Sequence, residues 1–81
     1  MKRFTAGWNQ PGYLPEMEPA EFNSESAARE FILTELRECL DRETAWERVP
    51  DWEDCILCIE NGDTDVSACD GYNYWIEERE E

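Results

Sequence analysis

The chain has 81 residues, with 21 Asp and Glu against 7 Lys and Arg and no His, for a formal net charge of −14. That length holds one domain with one modest core, which excludes a two-domain enzyme or a dinucleotide-binding α/β fold. The acidity argues against direct contact with nucleic acid or anionic lipid, both of which need Lys and Arg.

In chain order, Phe4-Thr5-Ala6-Gly7-Trp8 alternates, with Phe4, Ala6 and Trp8 on one face, and predicts a short first strand. Asn9 to Ala20 carries Pro11, Pro15, Pro19 and Gly12. It reads as a connector, too rich in proline for a helix and poor for a central strand, with Tyr13, Leu14 and Met17 placed to pin it to the body. Asn23-Ser24 supplies a helix start. Ala28, Phe31, Ile32, Leu36, Cys39 and Leu40 then recur at i, i+3, i+4 spacing and predict a helix over about 24–42. Its other face is charged, with Glu25–Arg29 and Glu38–Arg42 spaced to pair.

Glu43 to Val49 has no clear period. Pro50 suits a first helical turn, and Asp51, Glu53 and Asp54 suit the positive end of a helix dipole. Trp52, Cys55, Ile56 and Ile59 share one face, so a shorter second helix is expected over about 50–60, stopped by Asn61-Gly62. Thr64 to Cys69 and Tyr72 to Glu77 flank Asp70-Gly71, the strongest short hairpin signal. Tyr72, Tyr74 and Ile76 point one way; Asn73, Trp75 and Glu77 point the other. The expected architecture is one α+β domain over residues 1–81, a three-stranded antiparallel sheet with two helices packed on one face in the order β-α-α-β-β. Residues 78–81 are expected to be a frayed acidic end.

Absence of His removes the commonest general base and the commonest metal ligand. Hydrophobic residues at 41% and aromatics at 12%, including four Trp, set the chain apart from disordered acidic tails. No apolar run approaches the ~20 residues needed to span a bilayer. Met1 to Trp8 is charged without a following apolar stretch, unlike a signal peptide.

The cysteines are Cys39, Cys55, Cys58 and Cys69. Cys55 and Cys58 form a C-x-x-C, but a four-thiolate zinc site needs a second close pair, and here the other two are single. The pair also lies in an apolar helical stretch, where i and i+3 share a face for packing. Reduced thiols acting as small hydrophobes are the reading, with no metal and no cofactor. Asp63-Thr64-Asp65-Val66-Ser67 begins like a calcium loop, but the sixth position is Ala68 instead of Gly and the twelfth is Tyr74 instead of Glu. Ser24 and Ser26 have no His partner, and no glycine-rich phosphate loop is present, so the chain does not read as an enzyme.

The charge itself is the informative feature. Residues 1–48 hold 10 acids and 6 bases, whereas residues 49–81 hold 11 acids and one base, Arg79. Such a pole costs self-repulsion, which a basic partner would offset. Fourteen charges match ~24 Å of duplex at one charge per ~1.7 Å, close to the ~30 Å breadth expected of a compact chain this long. Asp51, Glu53, Asp54, Glu60, Asp63, Asp65 and Asp70 are the candidate partner-binding acids, with a partly exposed Trp52 adding apolar contact.

The run Trp8-Asn9-Gln10-Pro11-Gly12-Tyr13-Leu14-Pro15-Glu16, followed by Glu18-Pro19-Ala20, resembles the opening of small proteins encoded by phages and prophages. The closing Tyr72-Asn73-Tyr74-Trp75-Ile76 is similar to their aromatic last strand. In size and charge the chain resembles anti-CRISPR proteins of the DNA-mimic kind. The resemblance implies a phage-derived inhibitor in the cytoplasm of a bacterial host. It would act as a monomer that occludes the duplex- and PAM-binding surface of a type I CRISPR-Cas surveillance complex. Two alternatives are an inhibitor of another DNA-binding protein, such as a nuclease or restriction enzyme, and a small protein–protein interaction module whose acidity only maintains solubility.

Overall fold

The computed structural model describes residues 2–10 and 19–80. Its strands are β1 (Lys2–Asn9), β2 (Ala20–Phe22), β3 (Asp65–Ser67) and β4 (Asn73–Glu80), and its helices are α1 (Glu25–Arg42) and α2 (Val49–Glu60). The strands form one antiparallel sheet in the order β2-β1-β4-β3. The two long strands sit at its centre, paired from Lys2 opposite Glu80 to Asn9 opposite Asn73. Strict alternation makes that pairing useful. Phe4, Ala6 and Trp8 from β1 share a face with Tyr74 and Ile76 from β4, and Trp8 lies directly opposite Tyr74 with ring centroids 5.7 Å apart. Both helices cover this face: Phe31 of α1 stacks on Trp8 at 5.5 Å, and Trp52 of α2 meets Tyr74 edge-on at 6.4 Å. On the other face Trp75 lies over Gly7, and its indole N–H donates to Asn9 Oδ1 at 2.8 Å.

The α+β class and the two helices agree with the sequence reading, but the sheet has four strands instead of three. The additional strand is β2, in which Phe22 pairs opposite Phe4 and packs on Phe31 at 5.3 Å. Three residues after a proline are too short to show an alternation, so nothing local announces it. The expectation for Tyr13, Leu14 and Met17 lies outside the described residues. The expected fraying at 78–81 is also corrected for its first three positions. Glu78, Arg79 and Glu80 remain in β4 opposite Phe4, Arg3 and Lys2, and Lys2 Nζ meets Glu78 at 3.1 Å.

Local signals account for the helix ends. The Ser24 side chain accepts from Ala27 N at 3.2 Å and caps α1. At the end of α2, Gly62 (φ 111°) donates to Ile59 O at 3.2 Å and Asp63 N donates to Cys58 O at 3.0 Å, the paired bonds of a Schellman stop. Arg29 of α1 then donates to the carbonyls of Ile59 (2.6 Å) and Asp63 (2.9 Å) while pairing with Glu25. One guanidinium therefore satisfies the negative end of the neighbouring helix. Ala28, Ile32, Leu33, Leu36 and Cys39 from α1 and Trp52, Cys55 and Ile59 from α2 close over Ala6, Val66, Tyr74 and Ile76 as one core.

The hairpin forms where Asp70-Gly71 predicts it, but with a longer loop. Ser67 pairs with Asn73, and Val66 with Tyr74. Gly71 N donates to Ala68 O at 3.1 Å, and Ala68 N to Tyr72 O at 2.9 Å, a three-residue loop with Gly71 (φ 86°) at its left-handed position. A two-residue turn would shift the register by one and turn Val66 away from the Tyr74 face. The extra loop residue keeps both side chains in the core. Gly71→Ala is expected to destabilise the fold by about 1–2 kcal/mol, the cost of a left-handed non-glycine residue. Urea unfolding checks this, and an unchanged midpoint would contradict the role of the loop.

Candidate functional site

Cations are not shared evenly over the surface. Lys2, Arg3, Arg29, Arg37, Arg42 and Arg79 each form an ion pair with a carboxylate. Arg42 reaches back to Glu35 at 3.6 Å, instead of the Glu38 that the spacing suggested. Residues 49–78 contain no Lys or Arg at all, so the acids of α2 and β3 have no cation within their own segment to neutralise them.

Between α2 and β3 lies an open groove of about 480 Å³, lined by Asp51, Asp54, Cys55, Cys58, Asp63, Asp65, Val66, Ser67, Ala68 and Cys69. Four of the predicted acids therefore meet in one place. Asp51 and Asp54 come from one flank of α2, three residues apart. The turn after α2 brings Asp63, and the start of β3 brings Asp65. No Lys or Arg lines the groove, and none of these four acids takes part in an ion pair among the described residues.

The other predicted residues fall elsewhere. Glu53 and Glu60, seven apart and on one helical stripe, lie on the α1 side of α2, where Glu60 meets Arg37 at 3.6 Å. Asp70 serves the hairpin: its carboxylate accepts from Tyr72 N at 2.9 Å and from the Tyr74 hydroxyl at 3.0 Å. Trp52, expected to be partly exposed, is instead buried: it is only 4% exposed and its indole N–H donates to Glu43 Oε1 at 2.9 Å. Its position on the apolar stripe with Cys55, Ile56 and Ile59 carried that signal in the sequence. The exposed tryptophan is instead Trp46, at 81%.

The Trp52 indole, and then the Ala45 N–H, hold the Glu43 carboxyl below its ordinary value. A lowered folded value means stabilisation present above the unfolded value and lost as pH falls through the folded one. Glu43→Gln is accordingly expected to be less stable than the parent chain at neutral pH, with the difference vanishing in acid below the usual carboxylate range. Urea unfolding at several pH values checks it, and a difference that persists in acid would contradict the ionised hydrogen bond.

Three thiols also line the groove, which spacing alone did not place there. Burial first, then Cys58, Cys69, Asp51 and Asp54, push the Cys55 thiol up to about 11. Burial and Asp63 raise Cys58, and burial, Asp51 and Glu43 raise Cys69. At neutral pH these thiols are protonated, so the groove presents carboxylate charge over neutral sulfur. Among the described residues no group of three or more Cys, Asp or Glu is arranged to hold a metal ion, and no helix is long and apolar enough to cross a membrane.

The chain spans 43 × 27 × 16 Å. Its fourteen net charges along 43 Å amount to one per about 3 Å, near the ~3.4 Å step along one DNA strand and sparser than the ~1.7 Å of the duplex axis. No family model, no curated protein and no solved structure matches this chain.

Proposed function

We propose that the chain is a protein decoy for DNA that engages the basic surface of a nucleic-acid-binding protein and blocks it by occupancy, with no chemistry of its own. The observation that supports this reading is the groove in which Asp51, Asp54, Asp63 and Asp65 converge without a lining cation. A Lys- or Arg-rich surface would place its charges against these four carboxylates as it does against backbone phosphates. The size and charge resemblance to DNA-mimic anti-CRISPR proteins makes the duplex- and PAM-binding surface of a type I surveillance complex the first target to test. Nucleases and restriction enzymes come next.

The test titrates the chain into a purified type I complex bound to labelled duplex target. Competitive occlusion raises the apparent Kd for duplex in proportion to the chain's concentration, leaves saturation binding unchanged, and weakens steeply with added salt. Undisturbed duplex binding at low salt would remove this target. Capture of the chain by the complex without displacement of duplex would remove the mimicry itself.

A further inference from the structure

Three of the four tryptophans are accounted for by packing: Trp8 stacks on Phe31, Trp52 is buried against Tyr74, and Trp75 covers Gly7 and binds Asn9. Trp46 is different. It is 81% exposed; its carbonyl accepts from the Val49 N–H, but among the described residues its indole makes no hydrogen bond or ring contact. It stands in the short 3-10 turn Trp46–Arg48 that leads directly into α2, four residues before Pro50. Pro50, Glu53, Leu57 and Glu60 then follow at spacings of three and four, one stripe along the exposed surface of the helix. All are exposed, and Leu57 at 54% is the other large apolar side chain left in solvent. The stripe thus carries both apolar groups and carboxylates, on the exposed surface of α2 between the groove flank of Asp51 and Asp54 and the α1 side, where Glu60 meets Arg37.

We infer that this outer stripe is a second contact surface, taking a partner segment in which arginine lies beside apolar side chains. The inference rests on the reading of the partner as basic. Charge complementarity selects that occupant. Glu47 follows Trp46 in the turn and Glu53 lies between Trp46 and Leu57 along the stripe, while Glu60 is held by Arg37; a second copy of the chain would bring another −14 against them. Arginine is favoured over lysine because a guanidinium is planar and weakly hydrated. It can stack on the Trp46 face while its edge pairs with a carboxylate, whereas an ammonium stays strongly hydrated. Leu57, along the stripe, supplies the contact for the apolar neighbours of that arginine. The groove and the stripe then divide the work: the groove takes charge alone, and the stripe distinguishes which cation carries it.

The test uses two synthetic peptides of equal length and charge, with leucines at helical spacing, one built on arginine and the other on lysine. The parent chain is expected to bind the arginine peptide about fivefold more tightly, the size of a partly desolvated cation–π contact. Trp46→Ala should bring the arginine peptide down to the lysine peptide's affinity and leave the latter unchanged. Leu57→Gln should weaken both peptides at high salt as well as low. Both side chains are exposed, so neither substitution disturbs the core. An arginine preference that survives Trp46→Ala overturns the inference. So does a Trp46→Ala effect on self-association, read by sedimentation, with no effect on the peptide ratio. Neutralising Asp51, Asp54, Asp63 and Asp65 to Asn reads the groove separately. If both affinities fall with their ratio intact, the groove reading stands. If neither falls, that reading fails while the Trp46 comparison still decides the stripe.

Discussion

Tyr74→Ala is expected to lower the unfolding free energy by about 3–5 kcal/mol, the range for removing a buried aromatic side chain. Tyr74 is 2% exposed and lies on β4 between the rings of Trp8 and Trp52. Removing it opens a void between the central strand pair and α2. It also removes the hydroxyl that donates to Asp70 Oδ2 at 3.0 Å, leaving Asp70 only the bond from Tyr72 N, and breaks the 3.6 Å contact to the Cys39 thiol of α1. One side chain therefore joins the sheet, both helices and the hairpin loop. Domains of this size hold about 4–12 kcal/mol in all, at ~0.05–0.15 per residue, so the variant is near the limit of folding. Tyr74→Phe keeps the ring and loses only the hydroxyl, with an expected cost of about 1 kcal/mol. Urea titration followed by tryptophan fluorescence measures both. Equal losses for the two variants would show that the hydroxyl network matters more than the ring.

The second large effect is on binding. Replacing Asp51, Asp54, Asp63 and Asp65 together by Asn removes the carboxylates of the groove while keeping side-chain size. At about 0.5–1 kcal/mol for each exposed charge pair, competition with duplex is expected to weaken by roughly 30- to 1,000-fold. It should also become less sensitive to salt. The comparison variant converts Glu21, Glu30, Glu77 and Glu78 to Gln. It changes the net charge by the same amount, but on carboxylates already paired with Arg3, Arg37, Arg79 and Lys2. A groove-specific contact predicts a much smaller loss for the second variant. Equal losses would mean that total charge, and no particular surface, attracts the partner. Removing like charges from so acidic a body should leave the groove variant at least as stable as the parent chain.

The chain's local chemistry already specified much of this molecule. Ser24 capped a helix whose apolar spacing ran to Leu40, Asn61-Gly62 stopped the second helix, and Asp70-Gly71 turned the hairpin. Each of these signals acts within a few residues, where backbone geometry and side-chain period suffice. The concentration of acids after residue 48 was equally plain in the composition. Tertiary structure decided what depended on distant partners. Asn9 and Asn73 pair across most of the chain, and three-residue β2 exists only because β1 offers an edge beside Phe31. The loop of the hairpin gained a residue so that Val66 could share the core with Tyr74. The acids of α2 look alike in one dimension, but one flank turns Asp51 and Asp54 toward β3 and the other turns Glu53 and Glu60 away. Burial likewise separated Trp52 from Trp46. The surface that faces a partner is whatever the core leaves outside, and that is settled only when the helices dock on the sheet.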